Sequence, residues 1–105
     1  MMVEKLKRDG NVAVLYSPGF GAGWSTWNEN NDEALIFSVE LVKAVLGEID
    51  KTPIQVANEL FPEAYDGGVE QLKVEWIPEG LMFEIEEYDG SESINYKDRG
   101  GWVIA

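Results

Sequence analysis

Residues 72–96 read LKVEWIPEGLMFEIEEYDGSESINY. Apolar and polar side chains alternate through much of this stretch, the period of a half-buried β-strand. Leu72, Val74 and Trp76 fall on one side of an extended chain, Lys73 and Glu75 on the other. Pro78-Glu79-Gly80 reads as a turn. Phe83 and Ile85 then face inward, with Glu84, Glu86 and Tyr88 outward. Asp89-Gly90 is a hairpin signal, because a two-residue type I′ turn needs positive φ at both positions. Ile94 and Tyr96 continue a third strand, and Trp102-Val103-Ile104 can add another after Gly100-Gly101.

The residues upstream supply an earlier strand and two helices. Val12 to Tyr16 is a short apolar run ended by Ser17-Pro18-Gly19, the pattern of a buried strand. Leu35, Val39, Leu41, Val42, Val45 and Leu46 recur at spacings of three and four and form one helical stripe. Ser38 can cap a restart within that helix, and Gly47 can end it. Thr52-Pro53-Ile54-Gln55 has a capping-box pattern with proline at the first helical position. Ile54, Ala57, Leu60 and Phe61 form its apolar face, and Pro62 stops it. The expected fold is α+β: one domain over residues 1–105, a mostly antiparallel sheet of four to five strands, and two helices packed on one face.

Composition narrows the chemistry. The chain has 105 residues, 45% hydrophobic and 11% aromatic, enough apolar material for a core. It contains no cysteine and no histidine. Disulfides, nitrogen–sulfur zinc sites, thiol nucleophiles and histidine acid–base chemistry are therefore excluded. The expectation is a non-enzyme without cofactor, metal or catalytic residues, with a carboxylate- or metal-based activity left open. No apolar run approaches the roughly 20 residues of a membrane span, and the N-terminus lacks a signal-peptide pattern. A cytoplasmic location is expected.

Twenty acids face eight bases, a formal net charge of −12. Between Glu59 and Glu92 there are eleven acids and one base, Lys73. Such a surface repels nucleic acid and anionic membrane and suits a basic protein. Glu75, Glu84 and Glu86, with Glu87 and Asp89 beside them, form the candidate partner-binding face. Alternate strand residues lie about 6.7 Å apart, so such a row of carboxylates can imitate a nucleic-acid backbone. Polar-out alternation on an ordinary sheet gives the same pattern. Lys5, Lys7 and Arg8 make a small basic arm, either solvated or paired with a second copy, and a homo-oligomer is a further partner class.

A second candidate site lies in SPGFGAGWSTWN, residues 17–28. Glycine-rich loops after strands bring backbone N–H groups close to anions. The spacing Gly19, Gly21, Gly23 fails the dinucleotide fingerprint, which needs glycine where Trp24 stands. It also lacks the lysine of a P-loop, since no base occurs between Arg8 and Lys43. Two readings stay open. Ser17, Gly19, Gly21, Gly23, Trp24, Ser25, Thr26 and Trp27 can line a pocket for a nucleotide-like ligand, with Trp24 and Trp27 as stacking faces. Alternatively the loop turns a corner and its tryptophans fill the core.

Three segments carry a resemblance. Residues 17–27, SPGFGAGWSTW, are similar to the opening signature of a family of small acidic proteins encoded by bacteriophages and prophages. Residues 74–80, VEWIPEG, and 87–93, EYDGSES, are similar to later segments of the same proteins. The family has no assigned catalytic or binding residues to carry over. By analogy it implies a protein that binds and disables a host factor, as anti-CRISPR and other counter-defence proteins do.

Overall fold

Asn11–Tyr16 (β2) has no alternation, and the fold follows from that. Val12, Ala13, Val14 and Leu15 are all fully buried in the computed structural model. A strand buried on both faces needs a covering layer on each. The structure describes residues 4–19, 23–28, 33–64, 67–97 and 103–105. Within them the chain forms three layers with β2 in the middle one.

The middle layer is an antiparallel sheet in the order β1-β2-β3, with β1 at Lys7–Arg8 and β3 at Lys73–Pro78. Arg8 pairs with Asn11 across a two-residue turn, Asp9-Gly10, in which both residues have positive φ (52° and 80°). This hairpin repeats the Asp-Gly signal of residues 89–90, where φ is 53° and 84°. Val12 pairs with Ile77 and Leu15 with Val74.

Helices cover one face. Val39–Val45 (α2) starts at Ser38, whose hydroxyl accepts from Leu41 N at 3.3 Å, and the chain leaves it through Gly47 at φ 76°. Pro53–Leu60 (α3) begins with the full capping box of Thr52 and Gln55. Leu41, Val42, Val56 and Ala57 pack with Ala13 and Leu15 in the first core. A shorter helix, Glu33–Phe37 (α1), precedes Ser38. The break at Ser38 lets α1 reach both cores, with Leu35 in the first beside α2. Ile36 and Phe37 enter the second core, while Leu41 and Val42 enter the first.

The other face is covered by a second antiparallel sheet, β5-β4-β6: Met82–Tyr88 (β4) between Ser91–Lys97 (β5) and Val103–Ile104 (β6). Phe83 and Ile85 pack with Val12, Val14, Ile77 and Phe37, and the rings of Phe37 and Phe83 meet edge to face at 6.2 Å. The α+β class stands, but the strands form two sheets of three instead of one of four to five. The physical reason lies at residues 79–81. Glu79 N donates to Gly10 O and Gly80 N to Ala105 O, so the turn hands the chain from one sheet to the other without pairing β3 with β4. No helix among the described residues is long and apolar enough to cross a membrane.

Candidate functional site

At the end of β2 the chain reaches the start of β5. Glu92 N donates to Ser17 O at 2.8 Å, and Ser91 Oγ donates to Pro18 O at 2.7 Å. Glu92 shares a strand face with Ile94, the inward one, and its side chain is 1% exposed. Its carboxylate receives four donors. Ser17 N bonds Oε1 at 2.8 Å. Trp24 N, Thr26 N and the Thr26 hydroxyl converge on Oε2 at 2.7, 3.0 and 2.6 Å. An ionised carboxylate accepts and never donates, so this donor set fits that form.

The glycine-rich stretch therefore does cradle an anion, and the anion belongs to the same chain. Trp24 N and Thr26 N open a short 3-10 turn, Ser25–Trp27, and aim at one point, as backbone amides in anion-binding nests do. Gly23 is needed for the approach. A Cβ there would stand 2.7 Å from Thr26 Oγ1, 2.8 Å from Trp27 Cδ1 and 3.2 Å from Glu92 Oε2. Thr26 Oγ1 and Glu92 Oε2 are hydrogen-bonded to each other, so displacing either breaks that bond. Gly23→Ala should destabilise the fold by about 2 kcal/mol, in the range of overpacked sites, as read from the midpoint of urea unfolding.

The same geometry corrects the pocket reading. Three backbone N–H groups that would hold a phosphate are occupied by Glu92. Trp24 is fully buried, meets Phe61 edge to face at 6.0 Å and donates Nε1 to Leu35 O at 2.8 Å. It is a core residue and offers no face for stacking. Trp27 is 40% exposed and stands apart from it in role. Ser17 and Ser25 are buried, and Gly19 lies against the Gln71 side chain. Gly21 lies outside the described residues.

The acidic face is also redrawn. Glu75 sits on β3, in the other sheet from Glu84 and Glu86, and accepts a hydrogen bond from the Tyr96 hydroxyl. That hydrogen bond, with burial and the glutamate charge, pushes the Tyr96 phenol up to about 12. Burial and the same charge raise Tyr16. Glu87 turns back to accept Gly90 N at 2.7 Å, and Asp89 is the first residue of the hairpin turn. Glu84 and Glu86 remain together on the outer face of β4. With Thr26, Ile85 and Glu87 they line an open groove of about 430 Å³. The Asn95 amide donates to Glu86.

The basic arm is exposed to solvent and paired with acids of the same chain. Lys7 pairs with Glu79 at 2.6 Å, and Arg8 takes Glu48 with both guanidinium nitrogens at 2.5 and 2.7 Å. These bonds hold the Glu79 and Glu48 carboxyls below their usual range. Arg8 also lies over the Trp76 ring at 5.6 Å, and Lys5 donates to Ile104 O at 2.8 Å. Sequence reasoning passed over Glu92 itself. The signal was the parity of β5, which puts Glu92 on the face of Ile94. No protein family, curated protein or solved structure matches this chain.

Proposed function

We propose that this chain is a non-enzymatic binding protein that docks the outer face of β4 onto a basic surface of a protein partner. The observation that supports this reading is the placement of Glu84 and Glu86. They lie side by side on one strand face, with no cation paired to them among the described residues. Meanwhile Lys7, Arg8 and Lys51 are held by Glu79, Glu48 and Glu59. An ordinary exposed strand face mixes both signs, and along β4 this face carries acids and no base. A basic surface that takes such a row is one that also takes nucleic-acid phosphates, so the chain would act as a competitor there. The resemblance to phage proteins fits an inhibitor of a host nucleic-acid-binding or defence protein, acting in the host cytoplasm. Steered association of this kind is fast and salt-sensitive.

Titration with an arginine-rich peptide tests the face directly. The wild type should bind more weakly as salt rises, and Glu84→Gln/Glu86→Gln should lose about tenfold, or ~1.4 kcal/mol. Equal affinity in the double variant would remove the acidic face from the account.

A further inference from the structure

We infer that β3 is the interface of a homodimer, in which two copies pair antiparallel edge to edge with Lys73 of each opposite Glu75 of the other. In the three-stranded sheet β3 is an edge, bonded to β2 alone among the described residues. Which of its groups point outward follows from β2. Ala13 N donates to Leu6 O, toward β1, so Val12, Val14 and Tyr16 aim at β3. Their partners Ile77, Glu75 and Lys73 face back toward β2. Val74 and Trp76 therefore present their N–H and C=O groups to the open side. Leu72 has extended backbone (φ −60°, ψ 139°) and prolongs the edge by one residue. Its own N–H is taken by Val69 O, which leaves its carbonyl as an acceptor. The edge carries no bulge, and its proline stands at the far end, at Pro78. An edge of that kind is a template for another strand.

Charge selects both the partner and the register. A two-fold pairing must set outward residues against each other. Centred on Lys73 it puts Lys73 against Lys73, and centred on Glu75 it puts Glu75 against Glu75. Like charges directly opposite destabilise a strand pair. Centred on Trp76 it sets Glu75 against Ile77. Centred on Val74 it sets Lys73 against Glu75 twice, where Glu75 Oε2 accepts from Tyr96 and Oε1 is left for the lysine, and the largely buried Leu72 against Trp76 twice on the other face. Only this last register is complementary on both faces. It also forms four backbone hydrogen bonds: two between the Val74 residues, and one from each Trp76 N–H to the opposite Leu72 carbonyl. Lys73 is exposed and has no ion pair among the described residues. It is the lone base in the acidic stretch from Glu59 to Glu92. A pairing of this size is modest in area, so the dimer should depend on concentration.

Sedimentation velocity over roughly 5 to 500 µM tests this, at about 0.15 M salt, where the Debye length is near 8 Å and the net charges of the two copies are largely screened. Circular dichroism checks that each variant is folded. The wild type should shift from monomer to dimer with concentration. Lys73→Glu should weaken the dimer tenfold or more. The swapped chain Lys73→Glu/Glu75→Lys should dimerise again, and a mixture of Lys73→Glu with Glu75→Lys should form a mixed dimer. A wild type that stays monomeric throughout would overturn the proposal. So would a folded Lys73→Glu chain that dimerises like the wild type, or a swapped chain that fails to recover.

Discussion

Glu92→Ala should cost this protein about 4 kcal/mol, a large share of the ~5–15 kcal/mol that holds a domain folded. The substitution strands four donors: Ser17 N, Trp24 N, Thr26 N and the Thr26 hydroxyl. A buried donor left without an acceptor costs about 1–3 kcal/mol. The low end applies, because the space vacated by the side chain can admit water to some of the four. One effect opposes the loss. A buried carboxylate carries its own desolvation penalty, and removing it relieves that penalty. The donors decide the sign, since they stay in place when the charge goes. Glu92→Gln should fall between, at about 2 kcal/mol, because its amide oxygen can serve Trp24 and Thr26 while its NH2 meets Ser17 N–H donor to donor. Thermal unfolding reads both. For a domain of this size each ~1 kcal/mol lowers the midpoint by about 4–8 °C, so Glu92→Ala should melt roughly 20 °C below the wild type.

Trp24→Ala should cost about 3–5 kcal/mol, the usual loss for deleting a large buried aromatic side chain. Trp24 is wholly buried in the first core and packs edge to face on Phe61. It also closes the end of a helix. α1 is a single short turn, and the Leu35 carbonyl falls in its last turn, where no intrahelical donor is available. Trp24 Nε1 supplies that donor at 2.8 Å. Trp24→Phe separates the two contributions. It keeps most of the ring and loses the N–H, and should cost about 1–2 kcal/mol. Urea unfolding of the two variants beside the wild type measures the difference. A loss below about 1 kcal/mol in Trp24→Ala would mean that the loop is not packed as described.

The parts of the fold that could be read in the sequence are those governed by neighbours in the chain. Thr52, Pro53 and Gln55 lie within one turn, so their capping box is local chemistry. The same holds for Ser38 before α2 and for Asp89-Gly90. Asp9-Gly10 carried an identical hairpin signal, and it places β1. The split into two sheets was harder, because alternation says which residues share a face and not which strand pairs with which. Residues 78–80 look like a hairpin turn, yet the Glu79 and Gly80 amides donate to Gly10 and Ala105, far away in sequence. That is why Glu75 parted from Glu84 and Glu86. Glu92 was hidden for a related reason. Its polar setting, Ser91-Glu92-Ser93, reads as the exposed flank of a turn, while its first donor, Ser17, lies 75 residues earlier. β2 did hold a clue to the third layer. Four consecutive buried residues demand cover on both faces, and helices cover only one.

The central claim is that the glycine–tryptophan loop is closed on the protein's own Glu92. Residue-resolved amide hydrogen exchange of the wild type and of Glu92→Gln tests it most directly. The account predicts that the Ser17, Trp24 and Thr26 amides of the wild type exchange as slowly as the amides of β2, and that Glu92→Gln speeds the Ser17 amide well beyond the rest of the chain, with Trp24 and Thr26 less affected. Exchange of these three amides in the wild type at the rate of open surface loops would contradict it, and would return the loop's donors to an outside ligand.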